Sequence, residues 1–179
     1  MKHNLVIAGF GGQGILFAGK TLAYAGMDMG KYISWLPSYG PEMRGGTANC
    51  SVILSDEPIG SPLITQPDTL LAMNKPSLDK FEDKVKPGGV IVVESVYIDK
   101  KVTRDDVEVV YIPAKRIAED LGNGNLGNMV MAGVFAQFCP MLPFESICDS
   151  IRQHVPAKRT ELAEANIRML DAGYTYKVC

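Results

Sequence analysis

The sequence predicts a three-layer α/β fold, with a mostly parallel sheet flanked by helices and a helical C-terminal tail. Three observations predict it. Short apolar runs rich in β-branched residues alternate with helical patterns along the first two thirds of the chain. A glycine-rich turn, GFGGQG at 9–14, joins the first apolar run to the first helical pattern. From residue 114 onward every periodic segment is helical. This arrangement is Rossmann-like, and residues 1–179 read as a single domain.

The first part of the chain contains three predicted strands and one predicted helix. The strands lie at 4–8, 31–36 and 47–56, and the helix lies at 15–27. Gly26 and Gly30 are plausible ends of this helix. Strand, helix and strand in this length predict a βαβ unit with a right-handed crossover.

The rest of the chain contains three more predicted strands and five more helices. The strands lie at 69–73, 89–94 and 107–113, and the helices lie at 76–85, 114–122, 128–138, 143–152 and 158–170. Ser77 is the expected cap of the first of these helices. The helix at 128–138 is apolar nearly all round, so we expect it to be buried on several sides.

Composition excludes several classes of protein. The chain is 46% hydrophobic and 21% charged, with 18 Lys and Arg residues against 20 Asp and Glu residues. This balance, without a basic block, argues against nucleic-acid binding. The start of the sequence lacks the apolar core of a signal peptide, and the longest apolar stretch, at 129–138, is too short to span a bilayer. We therefore expect a cytoplasmic protein without membrane association.

Metal-binding and catalytic patterns are missing from the sequence. The four cysteines, Cys50, Cys139, Cys148 and Cys179, match neither zinc nor iron–sulfur spacing, and we expect free thiols, with Cys139 and Cys148 in or near the core. We find no Ser–His–Asp set, Cys–His pair or nucleophile elbow. No catalytic or metal-ligating residue is therefore assigned, which suggests one part of a larger enzyme.

The glycine turn is the first candidate binding site. Gly9, Gly11 and Gly14 satisfy G-x-G-x-x-G between a strand and a helix, and we expect the first glycines to adopt positive φ. Gly14 would let the helix pack close to the sheet. NAD binding is disfavoured, because the second strand does not end in the acid that holds the ribose. A phosphate-bearing ligand at the helix N-terminus and a purely structural turn both remain open.

The second candidate is the loop SYGPEMRGGTAN at 38–49. Arg44 offers a planar cation for a carboxylate or phosphate, and Gly45 and Gly46 permit close backbone approach. We expect the loop at the carboxyl end of a strand, on the same edge as the glycine turn. Ser38 and Tyr39 would then face a ligand there. A subunit contact and an ordinary surface loop are the alternatives.

These segments resemble the gamma subunit, or gamma domain, of the 2-oxoacid:ferredoxin oxidoreductases. The matching stretches are GFGGQGILFAGKTLA at 9–23, PSYGPEMRGGTANC at 37–50, SDEPIGSP at 55–62 and GNMVMAG at 127–133. The likeness runs along most of the chain. The loop looks most similar to that of the 2-oxoglutarate type, with pyruvate and branched-chain versions close.

The resemblance implies a subunit of a complex that converts a 2-oxoacid, coenzyme A and oxidised ferredoxin into an acyl-CoA, carbon dioxide and reduced ferredoxin. Coenzyme A would be a co-substrate contact of this chain. Thiamine diphosphate and iron–sulfur clusters would belong to alpha-, beta- and possibly delta-type partner subunits, with ferredoxin contacted indirectly. The residues expected to bind are Gly9, Gly11, Gly12, Gln13, Gly14, Ser38, Tyr39, Arg44, Gly45 and Gly46.

A second interpretation stays open at this point. An independent Rossmann-like nucleotide-binding or regulatory module would carry the same glycine turn. Such a module would bind a dinucleotide alone, whereas the isolated subunit would be inactive and could form a homodimer through a face meant for partners.

Overall fold

The computed structural model describes residues 1–39 and 47–177, with only the backbone of Tyr39. Six strands form one sheet: β1 Lys2–Phe10, β2 Tyr32–Tyr39, β3 Thr47–Ser55, β4 Thr69–Ala72, β5 Val90–Glu94 and β6 Glu108–Ile112. The α-helices in the described residues are α1 Ile15–Asp28, α2 Lys75–Phe81, α3 Ala114–Asp120, α4 Gly127–Phe138, α5 Phe144–His154 and α6 Thr160–Tyr174. Every strand and helix predicted from the sequence is present.

The sheet is mixed, with strand order β2-β3-β1-β4-β5-β6. The four strands β1, β4, β5 and β6 run parallel to one another, whereas β3 is antiparallel to both β1 and β2. The expected βαβ unit is therefore only partly correct, because β3 lies between β1 and β2. The chain reverses after β2, and β3 returns along both strands, so that Thr47 pairs with Phe10 and Ala48 pairs with Tyr39.

Side chains that alternate along the strands build a core on each face of the sheet. Leu5 and Ile7 of β1 point into the larger core, which α1, α3, α4, α5 and α6 cover. Val6 and Ala8 point into the smaller core, which α2 covers. Two helical layers around one sheet confirm the three-layer architecture. Each fully buried Leu or Ile contributes about 1.5–3 kcal/mol through its removal from water.

Helix α4 lies at the centre of the larger core, and residues 127–136 are all buried, as its apolar sequence predicts. It packs against α6 through Gly133 and Gly173. A Cβ atom at Gly133 would collide with the carbonyl oxygen of Leu170, and one at Gly173 would collide with that of Val130. These two glycines therefore permit direct contact between the helix backbones.

Two expected helix termini differ from the prediction. Asn74 caps α2, because its Oδ1 accepts a hydrogen bond from Ser77 N at 2.8 Å; Ser77 itself lies inside the helix. Helix α1 continues past Gly26, where a Cβ atom would meet the side chains of Ile33 and Leu54. The helix ends at Asp28, and Gly30, the other predicted terminator, lies in the turn that follows, with its N–H group donating to Met27 O.

The three cysteines in the described part of the chain, Cys50, Cys139 and Cys148, are free and buried. This confirms the core positions of Cys139 and Cys148, whereas Cys179 lies outside the described residues. Burial raises the pKa of the Cys50 thiol to about 12. Over residues 1–39 and 47–177, no helix is both long and apolar enough to cross a bilayer.

Candidate functional site

A cleft of about 100 Å³ lies at the carboxyl ends of the parallel strands. Its walls come from the glycine turn after β1, Met73 after β4, Glu94 and Tyr97 at and after β5, and the segments that begin α3 and α4. Helix α1 follows β1 to one face of the sheet, and α2 follows β4 to the other face. The cleft therefore lies at a topological switch point, where open α/β sheets bind ligands.

In the glycine turn, the residues that adopt positive φ are not the ones expected from the sequence. The positive φ angles are those of Gly12, at 93°, and Gly14, at 73°; Gly9 and Gly11 are not among the positive-φ residues of the described chain. Gly9 matters for space instead, since a Cβ atom there would lie 2.5 Å from Gln13 Oε1 and 3.0 Å from Met73 Cβ. The motif is thus a tight turn, with its left-handed residues three places later than predicted.

Gln13 clamps this turn onto the sheet. Its Oε1 accepts a hydrogen bond from Phe10 N at 2.6 Å, and its Nε2 donates to Met73 O at 3.0 Å. The side chain therefore joins the ends of β1 and β4, the two strands on either side of the switch point. Gln13 borders the cleft, but both the oxygen and the nitrogen of its amide are already hydrogen-bonded to the ends of β1 and β4.

Two helices present N-termini at the cleft without a side-chain cap. Helix α1 begins after Gly14, and α4 begins after Leu126, and neither N-cap residue provides a side-chain hydrogen bond. The first N–H groups of a helix lack intrahelical partners and carry a partial positive charge. Gly127 and Asn128 of α4 line the cleft, as do Gly12 and Gln13 just before α1, so the N–H groups at these helix starts offer donors for an anionic group such as a phosphate.

Asn128 connects these two helices. It is 2% exposed, it lines the cleft, and its Nδ2 donates to Gly14 O at 3.0 Å. Gly14 permits this contact, because a Cβ atom there would lie 2.6 Å from the same Nδ2. The close approach expected of Gly14 thus exists, but toward α4 rather than toward the sheet. Sequence reasoning missed Asn128, although a lone amide in the apolar segment GNMVMAG was a visible signal.

Glu94 is a second residue that sequence reasoning missed. It ends β5, is fully buried and borders the cleft. Its Oε1 accepts from Val96 N at 2.9 Å, and its Oε2 accepts from Lys115 N at 2.7 Å, at the start of α3. Burial raises the pKa of the Glu94 carboxyl, although these backbone donors act in the opposite direction. An acid that closes a β-branched run was the available signal.

Lys115 supplies a cationic side chain at the cleft. Its Nζ donates to Gly124 O at 3.2 Å and lies 3.1 Å from Glu119 Oε1. The ammonium group is partly exposed, so both contacts are available for exchange with a ligand. The combination of two helix N-termini and one lysine suits an anion, while Glu94 and Asn128 add hydrogen-bond acceptors.

The second candidate segment is only partly described. Arg44, Gly45 and Gly46 lie outside the described residues, and nothing is assigned to them or to the side chain of Tyr39. The flanks of the loop are placed, since Thr47 pairs with Phe10 at the end of β1 and Tyr39 pairs with Ala48 at the end of β2. The prediction that the loop leaves from the same sheet edge as the glycine turn is therefore confirmed for these flanks. Ser38 lies near this edge with an exposed side chain.

A larger cavity, of about 200 Å³, lies between α1 and α5. Its wall includes Tyr24, which stacks on His154 at 4.5 Å between ring centroids, and His154 Nε2 lies 3.0 Å from Asp28 Oδ2. These groups satisfy one another, and the cavity is away from the strand ends. We therefore take the smaller cleft as the candidate site.

The described residues contain no cluster of metal-binding side chains. In the part of the chain that the structure describes, no group of three or more His, Cys, Asp or Glu side chains could hold a metal ion. The three described cysteines are free and buried and belong to no cluster of potential ligands, so the described residues do not fit an iron–sulfur cluster.

Comparison with known proteins identifies the family. The model for pyruvate ferredoxin/flavodoxin oxidoreductase matches residues 4–176. The chain belongs to this family. The resemblance drawn from the two long motifs is therefore confirmed. Ketoisovalerate oxidoreductase subunit VorA of Methanothermobacter marburgensis is 41% identical over 168 residues, which cover 93% of this chain but 35% of that protein. The chain thus spans about a third of the length of this relative.

Other family members match this chain almost from end to end. The 2-oxoglutarate synthase subunit KorC of Methanocaldococcus jannaschii is 37% identical over 177 residues, covering 97% of this chain and 93% of that protein. The crystal structure of a keto/oxoacid ferredoxin oxidoreductase gamma subunit from Geobacter sulfurreducens superposes with a TM-score of 0.85 at 28% identity, covering 97% and 95% of the two chains.

A longer protein of known structure shares the fold. The 2-oxoglutarate:ferredoxin oxidoreductase of Magnetococcus marinus, solved with 2-oxoglutarate, coenzyme A and succinyl-CoA bound, gives a TM-score of 0.86. The match covers 99% of this chain and 32% of that protein, at 22% identity. This likeness and that to the Geobacter subunit confirm the predicted Rossmann-like fold, with its mostly parallel sheet and C-terminal helix.

Proposed function

We propose that this chain is the gamma-type subunit of a 2-oxoacid:ferredoxin oxidoreductase and that it helps to hold coenzyme A. The observation that carries the proposal is the cleft at the switch point, where the uncapped N-termini of α1 and α4 meet beside the glycine turn. Coenzyme A brings phosphates and needs no acid at the end of the second strand. Relatives named as subunits of such enzymes, and a family member solved with coenzyme A bound, support it.

The reaction of the complex would transfer two electrons. A 2-oxoacid loses carbon dioxide, its acyl carbon forms a thioester with the sulfur of coenzyme A, and two ferredoxins each take one electron while one proton is released. Thiamine diphosphate, on a partner subunit, would supply the carbanion-stabilising chemistry. We assign it and the iron–sulfur clusters to the alpha- and beta-type subunits, and to a delta-type subunit where the complex has one. The contribution of this chain would be to bind and orient coenzyme A through backbone N–H groups and Lys115.

The substrate and the location are finer proposals. We propose 2-oxoglutarate as the 2-oxoacid, because the loop at 38–49 resembles that type and a KorC subunit matches nearly end to end. The relation to VorA keeps a branched-chain 2-oxoacid as the next substrate to assay. The cytoplasmic location stays a prediction from the sequence. An independent nucleotide-binding module is not favoured, since the relatives carry names of oxidoreductase subunits.

Affinity co-purification of the tagged chain from its native cells, without oxygen, tests the proposal. We expect the larger subunits to co-elute in a fixed ratio and the eluate to reduce ferredoxin when coenzyme A and 2-oxoglutarate are both supplied. A chain that repeatedly elutes alone would refute the subunit assignment. A complex whose activity does not require coenzyme A would refute the reaction.

Arg44 provides a test of the binding role. If Arg44 contacts a phosphate of coenzyme A, Arg44→Ala should raise the KM for coenzyme A several-fold or more, because a charge-assisted hydrogen bond contributes about 1.5–3 kcal/mol. Arg168→Ala, which removes an exposed arginine from α6, is the matched control and should change nothing. An unchanged KM and an unchanged yield of complex in the Arg44 variant would exclude the contact.

A further inference from the structure

The amide of Asn128 leaves one buried polar atom without a partner. Its Nδ2 donates to Gly14 O, but its Oδ1 is buried and accepts no hydrogen bond from any residue that the structure describes. The orientation of the amide is fixed, because a flipped amide would bring Oδ1 against the carbonyl oxygen of Gly14, and two acceptors would then face each other. Buried acceptors in folded proteins are nearly always paired. We therefore expect a hydrogen-bond donor from outside the described residues to contact Asn128 Oδ1.

An unpaired oxygen alone does not mark a site, as Asn166 shows. Asn166 is 1% exposed, its Nδ2 donates to Leu162 O at 2.8 Å, and its Oδ1 also lacks a partner in residues 1–39 and 47–177. Asn166 lies within α6, however, and is not part of the cleft wall. Asn128 combines the unpaired oxygen with a place in the wall of the cleft. It also sits in the first turn of α4, where an anion would bind.

We infer that Asn128 is a specificity-determining contact, whose Oδ1 accepts a hydrogen bond from a neutral O–H or N–H donor of the bound coenzyme A. The inference rests on the proposed function and adds a second kind of recognition to it. The helix N-termini and Lys115 recognise negative charge, which any phosphate satisfies. An acceptor held in place by Gly14 recognises a group beside that charge, and it excludes ligands that offer only anionic oxygens.

Two halves of coenzyme A carry such donors. The adenosine half has a ribose hydroxyl and an amino group, whereas the pantetheine half has two amide N–H groups and a hydroxyl. The shared chemistry is an uncharged donor close to a phosphate. The two fragments adenosine 3′,5′-bisphosphate and 4′-phosphopantetheine separate the two sources.

The test measures binding of coenzyme A and of both fragments to the purified complex by calorimetry. We expect Asn128→Ala to weaken coenzyme A at least about tenfold and to weaken one fragment by a similar factor, leaving the other within about twofold. The unaffected fragment then reports an intact cleft, and the affected one identifies the half that Asn128 contacts. Asn166→Ala is the matched control, since it removes a similar buried amide, and it should leave all three dissociation constants unchanged.

Three outcomes would overturn the inference. Unchanged binding of all three ligands to Asn128→Ala would mean that Oδ1 has another partner, such as water. Equal weakening of both fragments would mean that Asn128 acts through the turn rather than by contact. A wild-type complex that forms and consumes coenzyme A, but whose Arg44 and Asn128 variants both behave as wild type, would instead refute the coenzyme A role of this chain.

If Asn128→Ala does not fold, a second experiment on the wild-type complex tests the inference. Wild-type complex can be titrated with coenzyme A analogues that each lack one hydroxyl, amide N–H or amino donor. One analogue should bind at least about tenfold more weakly than coenzyme A. Equal binding of every analogue would overturn the inference without any substitution in the protein.

Discussion

The contact between Gly14 and Asn128 predicts a strong energetic coupling between two residues that are 114 positions apart. Gly14 has φ of 73°, and the three atoms nearest to a Cβ placed there all belong to Asn128, at 2.6 Å, 2.9 Å and 3.4 Å. Gly14→Ala should therefore incur two costs. The left-handed conformation costs roughly 1–2 kcal/mol for a residue with a Cβ atom, and the clash costs about 1–3 kcal/mol as overpacking.

Gly12 separates these two costs. Its φ is 93°, but no heavy atom lies within 4 Å of the position of a Cβ. Gly12→Ala should therefore lose only about 1–2 kcal/mol of unfolding free energy, against about 2–5 kcal/mol for Gly14→Ala. When Asn128 is already alanine, the clash disappears, so Gly14→Ala should then cost only the strain of about 1–2 kcal/mol, the same as Gly12→Ala.

Equilibrium urea unfolding of the full chain, followed by circular dichroism, measures all four variants of this cycle. The expected interaction energy between the two substitutions is about 1–3 kcal/mol. If Gly14→Ala destabilises the chain equally with and without the Asn128 amide, the packing argument for the turn is wrong. If Gly12→Ala costs as much as Gly14→Ala, backbone strain alone explains both.

Three more predictions concern the buried groups. Burial raises the pKa of the Glu94 carboxyl above its ordinary 4.5, so the folded state binds a proton there more tightly than the unfolded state. The wild-type chain should therefore lose unfolding free energy relative to Glu94→Gln as the pH rises above 4.5, measured by urea unfolding at a series of pH values. Parallel pH dependences of the two proteins would contradict this. Gly133→Ala should destabilise the chain by about 1–3 kcal/mol despite the better helix propensity of alanine, because the backbone of α6 cannot move aside; Gly60→Ala, with open space at its Cβ, is the control. Cys50, with a thiol pKa raised to about 12, should resist a thiol reagent at pH 8 until the chain is unfolded, as followed by peptide mass.

The sequence predicts the strands and helices well because their signals are local. The run GVIVVE at 89–94 is short, apolar and β-branched, and it forms β5 almost to the residue. The apolar segment that becomes α4 is buried on nearly every side, as its composition requires. In each case the pattern that determines the element lies within the element itself, so no knowledge of distant residues is needed.

The site was less predictable because its contacts join distant segments. The glycine spacing at 9–14 locates the turn, but the positive φ falls on Gly12 and not on Gly11, in a turn that Gln13 joins to Met73, 60 positions away. Glu94 is an ordinary acid in the sequence, and the donor to its Oε2 lies at the start of α3, 21 positions further along the chain. Residue types indicate what a group can do, whereas the topology decides which groups meet.

The position of β3 explains how the two long motifs come to share one edge. In a plain βαβ unit, β2 would lie beside β1, and the loop after β2 could leave the sheet in any direction. Here the chain returns as β3 between the two strands, so Thr47 pairs with Phe10 at the end of the glycine turn. Neighbouring strands lie about 4.7–4.9 Å apart, which fixes the returning end of the loop next to the turn. The insertion therefore brings the described flanks of the second motif to the sheet edge that carries the glycine turn, although neither motif by itself encodes that arrangement.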